Sequence, residues 1–350
     1  MKLVRLGVVG CGRMGNIAQE SAQKIVDCQL VAVADVRKEL AEAAARKFNL
    51  KKFYTNAEDL INDEDVDAVI LSLPACLRTK LALQAFAKSK HVLIEKPVAM
   101  NTSEVEKMIA AQGNLISGCC SSRFRFYESA DVAEKFIAED KLGKIKLIRC
   151  RAVLPLGKVP ETTPPSWRLK KAINGGGIMM NWGCYDLDYL LGILRWSIKP
   201  ELVFAQTWQL PVEFSSYAAP DSDAETHCVA TIMCENNVAI HYERGEMVCA
   251  QAESAWDIIG DLGAVHLKMI EGNKKMIYVN GTSGKGAAPE VLWQGKETWD
   301  NMHLNPINDF VAAICWNRQP KTNLKQSLII QKVTDAIYAS AEQCKAVEIH

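Results

Sequence analysis

The chain has 350 residues, with 41 Lys plus Arg against 41 Asp plus Glu and a hydrophobic fraction of 49%. That length suits two cores better than one, and the zero net charge argues against a nucleic-acid partner held by a broad basic field. No apolar run reaches the ~18 residues of a membrane span, and GCGRMG follows the first apolar residues too soon for a secretory leader. The twelve cysteines contain no C-x-x-C, so they read as buried free thiols in a reducing cytoplasm.

Residues 3–9, LVRLGVV, suit a buried parallel strand. Gly10, Gly12 and Gly15 follow in the order G-x-G-x-x-G, and a helical pattern begins at once. The first glycine permits a tight turn, the second lets a pyrophosphate reach the backbone, and the third lets helix and strand pack closely. Arg13 and Met14 complete this cofactor-facing turn, and the helix N-terminus offers free N–H groups to the phosphates. The next strand, QLVAVADV (29–36), ends near Asp35. A carboxylate there binds an adenosine ribose and favours NAD, because it repels the 2′-phosphate of NADP. Arg37 and Lys38 keep NADP open, since either can turn onto a phosphate. VDAVILSLP (66–74), the helix TKLALQAFAKSK and the strand HVLIEKP (91–97) repeat the pattern. A doubly wound parallel sheet is predicted, with ligands outside the carboxyl ends of its strands, where Ser72, Leu73, Pro74 and Lys96 stand. Pro97 restricts Lys96 to an extended backbone.

Beyond residue 119 the parallel pattern stops. A helix, a turn at Gly143 and a long strand come first. The segments LVFAQTWQL, HCVATIMCE, NVAIHYERG, SAWDIIGD, GAVHLKMI and KKMIYVN then carry strand signals. One large, mainly antiparallel sheet fits them. TSGKGAAPEVLWQGK (282–296) reads as a surface loop; its GTSGKG lacks the P-loop spacing. None of the six histidines makes a metal-ligand pair, so no metal is expected. His241 lies in a strand pattern, as a satisfied sheet residue or facing a pocket. His303 precedes a helix and is a candidate cover for the substrate.

IMMNWGCYDLDYLLG (178–192) has helical spacing, with Ile178, Met179, Trp182, Leu187, Leu190 and Leu191 on one broad face. Asn181 and Tyr185 stand four apart and share a helix face. Gly183 costs about 1 kcal/mol against alanine inside a helix, which invites a packing reason such as close approach of cofactor or substrate. Asp188 either caps the pocket or ties the helix to Arg195.

GCGRMG, EKPVA, SWRLKKAINGGG, IIGDLGAVHL and TDAIYASAEQCKAVEI together resemble the glucose–fructose oxidoreductase, inositol dehydrogenase and rhizopine-catabolism (Gfo/Idh/MocA) superfamily. The resemblance implies a Rossmann domain over 1–120. It implies an α+β substrate and oligomerisation domain over 121–350, with the last helix packing back on the first domain. It also implies a homo-oligomer through the open sheet face. Lys96 would lie by the nicotinamide and the substrate hydroxyl, often before a cis bond to Pro97, with Ser72, Leu73, Pro74 and Glu95 along the cofactor. Arg78 stands where many relatives have histidine and is a candidate anion contact. Trp167 would wall the pocket, and Arg168 would contact hydroxyls or a carboxylate. Many relatives carry D-x-G-x-H-x-x-D where this chain has N-W-G-C-Y-D-L-D. Asn181 and Tyr185 therefore replace aspartate and histidine, while Gly183 and Asp188 remain. An uncharged Asn181 can position a hydroxyl but cannot act as a base. Tyrosine ordinarily titrates near 10, and a lysine ammonium favours its phenolate. Tyr185 is thus the expected proton donor or acceptor, with Lys96 orienting it and stabilising charge. The expected activity is NAD(P)-dependent hydride transfer on a sugar, cyclitol or related polyol. A glycosidase or lyase working through transient sugar oxidation, and a non-catalytic dinucleotide sensor, are the alternatives.

Overall fold

A computed structural model describes residues 3–270, 272–299 and 301–350. The chain divides into two compact units: residues 1–123 with 299–328, and residues 124–298 with 329–350.

The first unit alternates strand and helix. β1 (Val4–Val9), α1 (Arg13–Ala22), β2 (Cys28–Ala34), α2 (Lys38–Lys47) and β3 (Lys52–Tyr54) form its first half. α3 (Ala57–Asn62), β4 (Ala68–Leu71), α4 (Ala75–Ala87), β5 (His91–Ile94), α5 (Thr102–Gln112) and β6 (Ser117–Cys119) follow. The strand order is β3-β2-β1-β4-β5-β6, and every pairing is parallel. This is the order of a dinucleotide-binding Rossmann sheet. All four residues of β4 are buried, as expected of a strand covered on both faces. The strands expected to run through residues 74 and 97 stop at Leu71 and Ile94. The residues beyond them form turns, because Pro74 becomes the N-cap of α4 and Pro97 cannot donate to a ladder. β3 and β6, three residues each, are too short to show periodicity.

The second unit opens with α6 (Glu128–Ala138) and β7 (Ile145–Pro155), then α7 (Lys171–Asn174) and α8 (Cys184–Ile193). Then come β8 (Pro200–Gln209), β9 (Glu225–Cys234), β10 (Val238–Val248), β11 (Glu253–Gly260), β12 (Gly263–Leu267), β13 (Gly272–Asn280) and β14 (Ala288–Glu297). α9 (Leu304–Trp316) belongs to the first unit; α10 (Leu324–Gln343) begins there and ends in the second, before β15 (Val347–Glu348). The nine strands lie in the order β14-β13-β12-β11-β7-β10-β9-β8-β15. Only β7 and β10 pair in parallel; the other ladders are antiparallel. Along β9, Cys228, Ala230, Ile232 and Cys234 are buried while Val229, Thr231 and Met233 are exposed, which is the alternation of a sheet covered on one face. The loop expected over 282–296 is half strand: Ala288–Glu297 pairs with β13. β14 is an edge strand in which Glu297 alone is buried, so burial leaves little mark on its sequence.

α9 inserts Ile307, Phe310, Val311 and Ala313 into the cluster that contains Val4, Leu6 and Val8 of β1.

Candidate functional site

In the first unit the glycine turn is built from three different constraints. Gly10 has φ +95, and a Cβ there would stand 2.2 Å from the Ser72 carbonyl oxygen. A Cβ on Gly15 would meet the Gly10 carbonyl at 1.7 Å. Gly12, the N-cap of α1, has nothing within 4 Å of its Cβ position. The turn is therefore packed shut on the protein side and open at Gly12, where backbone N–H groups at a helix start suit a phosphate. Arg13 is exposed and Met14 half-buried at this rim. Asp35 is tied into the turn: Cys11 N–H donates to its Oδ2 at 2.8 Å, and Arg37 N–H to its Oδ1 at 2.9 Å. Each carboxylate oxygen keeps a lone pair for a ribose hydroxyl. Arg37 Nε lies 3.7 Å from the same carboxylate, and Lys38 is exposed. Burial pushes the Cys11 thiol up to about 11, so it stays neutral and unreactive. These residues fit a dinucleotide.

Arg78 departs from its expected role. It is neither a solvated helix residue nor an open anion contact. Its side chain is buried, with Nε donating to Leu73 O at 2.8 Å and Nη1 to Glu95 O at 2.8 Å and to Pro97 O. One guanidinium thus fastens the 72–74 turn to the 95–97 turn. Ser72 N–H donates to Val9 O at 2.9 Å, and its buried Oγ has no hydrogen-bond partner. Glu95 is buried and ion-paired with buried Arg123, and accepts from Lys96 N–H at 3.1 Å. Burial would raise its carboxyl, but Arg123, Arg78 and Lys96 outweigh that and hold it below the usual carboxylate range. The half-buried Lys96 precedes a cis bond to Pro97. His303, half-buried at the start of α9, stacks on Trp299 at 6.4 Å and has a buried Nδ1 without a partner. Burial, then the charges of Arg123, Arg13 and Lys96, push it down to about 4 despite Glu95. It is a neutral imidazole among the charges of both turns.

In the second unit the segment 166–193 is fixed by buried polar groups. A short 3₁₀ turn, Ser166–Leu169, leaves Trp167 exposed. Arg168 reaches Glu246 of β10. α7 ends at Gly175, φ +84. A Cβ on Gly176 would overlap the Tyr338 hydroxyl at 2.0 Å, and one on Gly177 the Glu225 carbonyl at 1.8 Å. Buried Glu225 caps this turn: Gly177 N–H donates at 2.9 Å, Met179 N–H at 3.0 Å and Tyr338 O–H at 2.8 Å. Burial nevertheless raises its carboxyl.

The expected regular helix begins as a π turn, Met179–Gly183, and becomes α-helical only at Cys184. Every residue of α8 is buried, so it has no solvated polar face. Asp186 accepts from Tyr242 O–H and Trp256 Nε1, each at 3.1 Å, with Arg244 at 3.6 Å. Asp188 is not at a pocket rim and does not hold Arg195. It is fully buried and pairs with Arg125 at 2.5 Å, while Arg195 pairs with Glu134. Gly183 makes room for Met179 and the Tyr242 hydroxyl, at 2.5 and 3.1 Å from its Cβ position, rather than for a ligand. Asn181 and Trp182 are half-buried; Tyr185 is buried. The Tyr185 ring meets Phe124 edge-on at 5.1 Å and Trp182 at 5.5 Å. Arg244 lies 4.3 Å over Trp182. Such a cage fixes a tyrosine ring by packing. His241 is exposed on β10. No group of His, Cys, Asp and Glu suited to a metal occurs among the described residues, and no helix among them is long and apolar enough to cross a membrane.

Sequence reasoning missed Arg123, Arg125, Glu225, Arg244, Glu246 and Tyr338. Most carry no local signal, because their partners are distant in the chain. The run HYERGE did carry one: charges alternating inside a strand imply that one set faces the core.

A Rossmann sheet with an open glycine turn, followed by a one-sided mixed sheet, is the plan of a two-domain dinucleotide-dependent protein. Residues 4–114 match the model of the oxidoreductase family with an NAD-binding Rossmann fold, and residues 131–266 match the Gfo/Idh/MocA C-terminal domain. The chain belongs to the Gfo/Idh/MocA oxidoreductase family. It is 30% identical over 206 residues, 57% of its length, to a trans-1,2-dihydrobenzene-1,2-diol dehydrogenase of Xenopus laevis, of which the match takes in 59%. It is 28% identical over 194 residues, 54% of its length, to a myo-inositol 2-dehydrogenase of Thermotoga maritima, of which 55% is matched. The chain thus spans a little over half the length of these curated relatives. An NAD binding oxidoreductase from Klebsiella pneumoniae, 21% identical, superposes over 99% of both chains with a TM-score of 0.85, which shows a shared fold.

Proposed function

We propose that the chain is an NAD(P)-dependent oxidoreductase, preferring NAD, that acts at a carbinol or carbonyl carbon of a sugar, cyclitol or related polyol. The supporting observation is the glycine turn, packed shut at Gly10 and Gly15 and open at Gly12 beside Asp35. Both named relatives are dehydrogenases whose names give a ring diol and a ring polyol, which favours a ring with neighbouring hydroxyls. When bound, the nicotinamide supplies or takes the hydride. Gly10, Gly12, Arg13, Met14 and Gly15 hold the pyrophosphate, Asp35 the ribose, and the turns 72–74 and 95–97 the reacting end. Tyr185 gives a proton to the developing alkoxide in reduction and takes one in oxidation. Lys96 stabilises the negative charge that this leaves. Asn181 orients a hydroxyl, and the exposed face of Trp167 suits the C–H face of a ring. His303, a neutral imidazole, contacts a substrate hydroxyl. Cytoplasmic location and a homo-oligomer built through the open sheet face, where Phe204, Val229 and Met233 are exposed, complete the reading.

The test is turnover of a panel of inositols, sugars and trans-diols with NAD and NADP. Tyr185→Phe is expected to lower kcat about 10²–10⁴-fold while cofactor Kd moves less than twofold, with Lys96→Met at least as damaging. Unchanged turnover in Tyr185→Phe removes the phenol from the mechanism. A strong NADP preference overturns the role given to Asp35.

A further inference from the structure

Tyr242, Arg244 and Glu246 alternate along β10 and are all buried, at 1%, 3% and 7% exposure. They face the covered side of the sheet. The first two are fully engaged by the segment bearing Tyr185: Tyr242 and Arg244 meet Asp186, and Arg244 covers Trp182. Glu246 continues the row but is left half-satisfied. Arg168 holds its Oε2, and its Oε1 is, among the described residues, the one buried carboxylate oxygen without a hydrogen-bond partner. An acceptor left in this state is costly unless something donates to it. The backbone there is also irregular. Gly245 pairs with Val153 and Val248 with Pro155, so Glu246 and Met247 oppose Leu154 alone. Met247 adopts φ +58. A bulge of this kind re-aims a side chain and recurs beside functional sites.

We propose that Glu246, steadied by Arg168, reads a hydroxyl of the substrate, and that the substrate is therefore a neutral polyhydroxy ring compound and not a sugar acid. The inference rests on the oxidoreductase reading above and adds the charge class of its substrate. A carboxylate only accepts hydrogen bonds, so Oε1 selects a group that can donate, and a hydroxyl does. A substrate carboxylate is repelled by Glu246, whose charge already offsets that of Arg168, so the pair offers an acid no net attraction. Arg168 is half-exposed, with 38% of its side chain accessible against 10% for Glu246, and so stands as the outer member of the pair. Neighbouring hydroxyls suit such a pair: one donates to the carboxylate while the other accepts from the guanidinium.

The experiment compares a neutral ring polyol with the sugar acid of matching stereochemistry, using the full chain with NAD. The wild type is expected to favour the neutral compound at least 100-fold in kcat/KM. Glu246→Gln, nearly isosteric, is expected to raise KM for the neutral polyol at least tenfold, with kcat changed less than threefold and NAD Kd unchanged. Its preference over the acid should narrow at least tenfold. A residue with only a structural role would lower Tm but leave that preference intact, and this result overturns the inference while sparing the oxidoreductase reading. No turnover of any polyol by the wild type overturns both. If Glu246→Gln fails to fold, Arg168→Met, at the half-exposed partner, must raise KM for the neutral polyol at least fivefold; an unchanged KM overturns the inference.

Discussion

The molecule contains two glycine-rich turns, each leading into a helix, and they differ in what lies against them. At Gly10–Gly15 the outer two glycines are packed against backbone, but the Cβ position of Gly12 meets nothing. At Gly175–Gly177 the space is filled by the protein itself: the Tyr338 hydroxyl over Gly176 and the Glu225 backbone over Gly177. The first turn ends in free helix N–H groups. The second has its N–H groups taken by the Glu225 carboxylate, which stands where a bound anion would. A glycine cluster before a helix signals close approach of something to the backbone. Whether that something is a ligand or another part of the chain depends on residues far away in sequence.

Substitutions can separate the two turns. The largest expected effect follows from the helix after the second turn. Asp188→Ala leaves Arg125 charged and buried, which costs about 3–5 kcal/mol, read as the urea midpoint. Gly177→Ala comes next: a methyl 1.8 Å from a carbonyl oxygen must force the backbone apart, at the upper end of the ~1–3 kcal/mol of overpacking. Gly12→Ala is its counterpart. It should change stability by less than about 1 kcal/mol, yet weaken NAD binding at least tenfold by titration of cofactor fluorescence. A stable Gly177→Ala protein, or a Gly12→Ala protein with unaltered NAD affinity, would break the comparison. The effect beside the first turn at His303 appears only when the pH is lowered. Its pKa is about 4 folded against 6.5 ordinarily, so below pH 6.5 the unfolded chain binds a proton that the folded chain does not. Stability is therefore lost as pH falls from 6.5 to 4, and His303→Gln should flatten that part of a pH–stability curve.

Much of the first unit is legible in sequence because its signals are local. β1, the glycines, α1 and β2 occur within 35 residues, and each apolar run is buried on both faces. The second unit is legible in its strands where one face is covered, and poorly legible at the edge strand β14. The candidate site divides the same way. Gly12 and Asp35 announce themselves by spacing, and the turns at 72–74 and 95–97 by their prolines. Asp188 misleads, because its partner Arg125 lies 63 positions away and nothing in YDLDYL marks a fully buried ion pair. Arg78 misleads for a related reason: it binds carbonyl oxygens, and every residue has one. Asn181 and Tyr185 were readable as an i, i+4 pair, but nothing local in the sequence marks the π turn before Cys184.

The contribution of α9 to the first core bears on how the protein is made. Val4, Leu6 and Val8 leave the ribosome well before Ile307 and Phe310 of the same core cluster. At ~5–20 residues per second, synthesis from Arg123 to Trp299 takes on the order of 10–35 s. During that interval the nascent nucleotide-binding half carries an uncovered apolar patch on one side of its sheet. Completion of the nucleotide-binding unit thus awaits a helix translated after residues 124–298 of the second unit, and until then that unit is a natural client for chaperones.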